Sequence, residues 1–247
     1  DLPPEFLLTH PLSSSRISDA FNSAEGISEE GTKQDSLEFG LMKARLEVYY
    51  ENIPANSLRL FESKVDDSPS DANIYGLALA HKKNNNFDKS INLLDKLIQK
   101  YPKNLVINTT KVDILLSYDK FNEALDLVNQ FLEISPKNYP LSISKSKVLL
   151  AMERYFESEE IIRDQLLRKN DDPELWLLLS EIQRNSQNII GYHQSRAEYF
   201  LLLGQDDKAL NQLEFALQLT QNNFQVSESL MNKIVEIKKN LSSARGL

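Results

Sequence analysis

The sequence contains no cysteine, which removes disulfide frameworks, thiolate zinc sites and cysteine nucleophiles together. Glycine is scarce as well, seven residues in 247 beside nine prolines, and that shortage argues against a turn-dense sheet fold or a set of phosphate-cradling loops. No apolar run approaches the roughly 18 to 20 residues that span a bilayer; the densest stretches are Leu175 to Leu179 and Tyr199 to Leu203. Histidine occurs at His10, His81 and His193 only, with no H-E-x-x-H pattern and no pair at helical i, i+4 spacing, so a self-contained catalytic zinc site is not expected. The motifs G-x-S-x-G, G-x-x-x-x-G-K-[ST] and G-x-G-x-x-G are missing too. Adjacent carboxylates such as Glu159-Glu160 and Asp171-Asp172 diverge on a helix or turn and read as solvated or capping groups. The reading is a binding scaffold without a catalytic site or cofactor of its own.

What is present is ordinary for a folded protein, 41% hydrophobic and 26% charged residues, and favours long helices with short connections. Lys+Arg 28 against Asp+Glu 36 leaves a net charge of −8, a field that opposes nucleic acid phosphates and anionic lipid. Twelve acidic and six basic residues fall within positions 1 to 66, so most of the excess lies in the first quarter. The opening Asp1-Leu2-Pro3-Pro4 has no Met, basic region or apolar core of a signal peptide, and is read as the start of an excised fragment or processed product.

An internal period organises the rest. Tyr101-Pro102-Lys103-Asn104 and Ser135-Pro136-Lys137-Asn138 lie 34 positions apart, Phe87, Phe121 and Tyr155 repeat the same step, and Ser90, Ala124 and Ser158 follow three residues behind them. A ring opening one helix and a small residue a turn later suit two helices packed closely together. First helices carry Ala44, Ala78, Val112, Ser146, Ser180 and Ala197 at comparable places. This pattern resembles the tetratricopeptide repeat, and implies an all-α solenoid of about twelve to thirteen helices in antiparallel pairs. The first helix is expected near Ser14 to Ala24 and the last from Phe224 to Leu241. Register is clearest from 71 to 138, with about four recognisable repeats and degenerate units at both ends. Asn85 and Asp119 stand where the turn glycine belongs and tolerate a left-handed backbone, while Gly204 restores the glycine. Residues 26–34 read as an acidic flexible linker, 35–222 as the solenoid and 223–247 as a capping helix.

By the layout of that repeat, the first helix of each pair lines a concave groove. The side chains expected there are Tyr75, Leu79, Lys82 and Lys83, then Thr109, Asp113 and Leu116, then Ile143, Lys147 and Leu150, then Leu177, Glu181 and Arg184. Tetratricopeptide proteins that hold a C-terminal carboxylate use Lys and Asn on this groove, where the present chain has Tyr75, Leu79, Thr109 and Asp113; that function is disfavoured. Taken singly, each of these residues is also an ordinary occupant of a helix surface. His81 and His193 read as core or partly buried histidines rather than ligands.

A second resemblance precedes the repeats. Pro3-Pro4-Glu5-Phe6-Leu7-Leu8-Thr9-His10-Pro11-Leu12-Ser13-Ser14-Ser15-Arg16-Ile17-Ser18-Asp19-Ala20 is similar to the closing segment of H-E-x-x-H peptidases of the Oma1/HtpX-like superfamily. Joined to a repeat array it resembles the β-barrel assembly-enhancing protease family, a periplasmic metalloprotease and chaperone of Gram-negative bacteria. The resemblance makes residues 1–25 the tail of a protease domain, and implies a zinc-dependent parent whose catalytic helix and zinc ligands are absent here. It implies as partners the chain's own protease domain, outer-membrane β-barrel precursors and their assembly machinery. His10 then stands where the protease domain would end, and is expected either as an exposed loop residue or as an inhibitory ligand that takes the water position on the parent's zinc. The alternative function is a structural scaffold that assembles folded periplasmic proteins.

Overall fold

Five first helices of the repeat start on a side chain that caps them. Ser36, Ser70, Asn104, Asn138 and Asp172 accept amide N–H groups from Phe39, Asn73, Ile107, Leu141 and Glu174 at 3.0–3.3 Å, satisfying donors that a helix N-terminus leaves unpaired. These five caps are 34 residues apart throughout. The computed structural model of the chain describes residues 36–220 and 223–244. Among them are twelve helices and no strand: α1 Leu37–Tyr50, α2 Pro54–Asp67, α3 Asp71–Lys83, α4 Phe87–Lys100, α5 Leu105–Ser117, α6 Phe121–Ile134, α7 Tyr139–Ala151, α8 Tyr155–Leu166, α9 Pro173–Asn185, α10 Ile189–Leu202, α11 Asp206–Gln218 and α12 Phe224–Ala244. The expected helix near Ser14 to Ala24, the linker 26–34 and His10 lie outside the described residues.

A second ladder closes the turns. Asn85, Asp119, Glu153 and Gln187 all have φ of 58–62°, again at 34-residue intervals, and Gly204 has φ 66° between α10 and α11. Asn85 and Asp119 are the two residues whose chemistry announces a left-handed turn. With the caps, these turns carry the register from Ser36 to Gln187, well beyond the window 71 to 138 that apolar matching suggests.

Pairs of helices close on small residues. Ser90 Oγ donates to the Ala78 carbonyl at 2.7 Å, and Ser146 and Ser158 bond to each other at 2.8 Å; all four are fully buried, as are Val112 and Ala124. The next step would bring Ser180 to Tyr192, whose ring is too large for that contact. The α9–α10 pair instead meets one turn farther on, where Ser195 Oγ donates to Gln183 Oε1 at 2.7 Å and Gln183 Nε2 donates to Glu159 at 3.1 Å. Gln183, an unexpected residue for an interior position, is thus buried with both ends of its amide satisfied. Ala197 lies on α10 and is buried with Ala209 of α11 twelve residues later, the spacing of Ala78 and Ser90, so α10 also serves as a first helix toward α11.

From α2 onward each helix packs on its neighbours in sequence, while α1 packs on α3 and α5 packs also on α7. The core is accordingly a string of four apolar clusters, one around Leu41, Phe61, Tyr75 and Leu94, others around Val112 and Val128, Ile162 and Leu179, and Leu213 and Ile234. In the last, Leu230, Ile234 and Ile237 of α12 seal α11.

Asp172 joins capping to tertiary structure, because its second oxygen accepts the Tyr139 hydroxyl at 2.6 Å and Lys169 at 2.9 Å. Burial alone would raise its pKa, but these bonds and the Glu174 amide outweigh it and hold the carboxyl below its ordinary 3.8. Burial and the same bond push the Tyr139 hydroxyl up to about 12. A carboxyl depressed by folding contributes stability that is full above its ordinary pKa and lost as the pH falls through the folded value. Asp172→Ala is therefore expected to cost about 1–2 kcal/mol at neutral pH. In melts at about pH 2 the difference from wild type should shrink; an undiminished difference would assign the effect to the helix alone.

Candidate functional site

The 34-residue step places one side chain per first helix at the same repeat position, and these line two depressions: Arg45, Leu79 and Asp113 the first, Lys147 and Glu181 the second. Arg45 is the best anchored of them. Its Nε and Nη2 donate to the Tyr75 hydroxyl at 3.1 and 2.7 Å, and Nη2 also donates to Thr110 Oγ1. Thr110 gives its own proton to the Val106 carbonyl at 2.6 Å, so Tyr75 donates to Thr110 across 2.8 Å. Two buried hydroxyls therefore orient a guanidinium that, among the described residues, makes no ion pair and leaves its Nη1 without a hydrogen-bond partner.

Above this network lies a depression of about 460 Å³ lined by Arg45, Val48, Tyr49, Leu79, Lys82, Lys83, Thr110, Asp113 and Ile114. A second, of about 520 Å³, is lined by Leu116, Asp119, Phe121, Lys147, Leu150, Ala151, Leu178, Glu181 and Asn185. Asp113 is exposed and lines the first depression. The surrounding protein pushes its carboxyl pKa up, against the pull of Lys147, Arg45 and Lys82. Those three cations, with Lys83, outnumber the acid, so this part of an acidic chain carries a local positive excess.

The structure thus brings Leu79, Lys82, Lys83 and Asp113 together in one depression, and Leu116, Lys147, Leu150 and Glu181 in the other. It separates the remaining expected groove residues. Tyr75 is fully buried and reaches the site only through its hydroxyl on Arg45, so it is not a groove contact. Lys83, although it lines the first depression, spends its charge on the fold: Nζ donates to the carbonyls of Val48 (2.6 Å) and Glu51, and so caps the C-terminus of α1. Thr109 folds its hydroxyl back to the Leu105 carbonyl at 2.7 Å, leaving Thr110 to face the site. Ile143 packs against the cluster around Ile162, Leu177 is half-buried, and Arg184 is exposed outside both depressions. Arg45 escapes a reading built on apolar consensus, although the period marks it as the residue 34 positions before Leu79.

His81 is buried, its ring 3.5 Å from Asn86 Nδ2. Burial, helped by Lys89 and opposed by Glu62, lowers its pKa. His193 Nδ1 lies 2.9 Å from Gln212 Oε1, with its ring against Tyr192 and Phe215. Among the described residues no group of three or more His, Asp or Glu stands together to hold a metal, and no helix is long and apolar enough to cross a membrane.

Residues 115–182, from the end of α5 through most of α9, match the family model of the tetratricopeptide repeat. No curated protein matches the chain. Among solved structures, a tetratricopeptide repeat protein from Parabacteroides merdae ATCC 43184 is 13% identical, with 80% of this chain and 82% of that one covered at a TM-score of 0.49. A thermophilic tetratricopeptide repeat protein of Thermus thermophilus is 16% identical, over 81% of this chain and all of that one, at a TM-score of 0.47. Caps and left-handed turns keep a 34-residue step through paired helices, and the fold is an all-α, tetratricopeptide-like solenoid whose residues 115–182 match the repeat's family model.

Proposed function

We propose that the chain is the non-catalytic, protein-binding module of a periplasmic metalloprotease and chaperone, and that it takes outer-membrane β-barrel precursors and their assembly machinery into its concave groove. The observation that carries the protein-binding part is the pair of depressions on successive first helices, each with apolar side chains beside charged ones. Such a surface suits an extended polypeptide, which presents alternating side chains to pockets. The zinc-dependent parent, the periplasmic setting and the choice of precursor are supported by the likeness of Pro3 to Ala20 to the end of a peptidase domain.

The test blocks the groove without touching the core. Lys82→Trp and Ala151→Trp change exposed residues, one in each depression, and Gln130→Trp on α6 is the control on a second helix. Capture of a urea-unfolded β-barrel precursor, followed by fluorescence anisotropy, should weaken about tenfold or more in the two groove variants, roughly 1.4 kcal/mol, and stay unchanged in the control. Full capture by both groove variants, with loss in Gln130→Trp, would move the site off the concave face. Affinity for folded periplasmic proteins alone would favour the scaffold function.

A further inference from the structure

Arg45 stands in the first depression with its charge uncancelled. A guanidinium has five N–H groups, and three of these, one on Nε and two on Nη2, are engaged by the hydroxyls of Tyr75 and Thr110. Those hydroxyls are buried and committed in turn, Tyr75 to Thr110 and Thr110 to the Val106 carbonyl. They fix the plane of the guanidinium, but being neutral they leave its charge in place. Nη1 keeps both of its N–H groups. It is not one of the enclosed unpaired side-chain atoms of the described chain, which are Asn108 Oδ1 and Arg196 Nε, so it faces solvent.

The surroundings narrow what can pair with it. Among the described residues no carboxylate comes within ion-pair distance of Arg45 or of Lys82, an exposed residue that lines the same depression. With Lys83 engaged at the end of α1, the free heads are these two cations and Asp113. That is an excess of one positive charge, which a single carboxylate cancels. A phosphate dianion would set its second charge against Asp113. Val48, Leu79 and Ile114 complete the lining with apolar surface. An Asp or Glu side chain can reach Arg45 from a backbone lying across the rim. A chain end would have to bring its own amide groups down against those apolar side chains.

We infer that the first depression is a receptor for an internal Asp or Glu side chain of an extended polypeptide, whose carboxylate accepts from Arg45 Nη1 and Lys82 Nζ while a neighbouring apolar side chain lies on Leu79. The inference rests on the groove being a protein-binding surface, and adds what the guest must carry: one acid flanked by apolar residues. Because the buried hydroxyls hold the guanidinium in place beforehand, little ordering opposes the contact.

Short capped peptides of alternating apolar and neutral polar residues, with Glu, Gln or Lys at one central position, are titrated against the full chain by fluorescence anisotropy. The Glu peptide should bind about tenfold tighter than the Gln peptide, and the Lys peptide more weakly than either. Arg45→Gln should erase the preference for Glu. Lys82→Glu, a change at an exposed residue outside the core, should reduce it several-fold. A Gln peptide with a free C-terminus in place of the amide should gain less than twofold. Tighter binding that follows the free end and not the central Glu would overturn the assignment, as would equal affinity for the Glu and Gln peptides. If no peptide binds while an unfolded β-barrel precursor is still captured, the carboxylate receptor fails and the groove stands; capture of neither overturns both.

Discussion

Tyr75→Ser is expected to unfold the N-terminal half of the solenoid at temperatures where the wild type is intact. The ring is fully buried in the cluster of Leu41, Phe61 and Leu94. Truncating a core aromatic leaves a cavity that neighbouring helices only partly close, at about 3–5 kcal/mol. A second loss follows at the hydroxyl, which accepts two N–H groups from Arg45 and bonds to Thr110. The serine hydroxyl sits too close to the backbone to replace it. Tyr75→Phe separates the two, since it keeps the ring and should cost about 1–2 kcal/mol, mostly through the loosened guanidinium. Denaturation followed by circular dichroism checks both. A Tyr75→Ser melt within a degree or two of wild type would return Tyr75 to the groove surface.

Gly76→Ala is expected to destabilise the chain, against the usual direction of this exchange. In a helix interior alanine is better than glycine by about 1 kcal/mol, and Gly76 lies within α3. A Cβ built there falls 2.0 Å from Phe61 Cε1 and within 2.6 Å of two more ring carbons. Phe61 is itself fully buried, and its ring would have to shift within the core to make room. Overpacking of this kind costs about 1–3 kcal/mol and exceeds the helical gain. Phe61→Leu in the same chain should recover part of the loss, which makes the pair non-additive in a double-mutant cycle. Additive effects, or a stabilised Gly76→Ala, would show that α2 and α3 can separate at this point without cost.

Legibility followed the physics of each feature. The starts of α4, α6 and α8 at Phe87, Phe121 and Tyr155 were readable because a ring recurs there at a constant interval. Asn85 and Asp119 revealed their left-handed turns by residue type, but Glu153 and Gln187 have no such preference, and only counting the period finds them. The groove was harder. Position in the repeat tells which way a side chain sets out, and not how deeply the neighbouring helix covers it. Tyr75 therefore looked like a contact when its ring belongs to the core, and Lys83 like a free cation when it closes α1. Arg45 was hidden by the weak apolar match of the first unit, although its polar caps are in register.

A polypeptide lying along the concave face meets Arg45, Leu79, Asp113, Lys147 and Glu181 in turn, one side chain per repeat. No two neighbouring rungs are alike. In an array of identical repeats, a guest could slide by one unit and find the same surroundings, so that its occupancy would spread over several equivalent positions. Here a slip of one unit carries a carboxylate matched to Lys147 onto Asp113 or Glu181, turning attraction into repulsion. If the groove binds as proposed, the uneven ladder would act as a stop against slippage, and a guest chosen at one position would be held there.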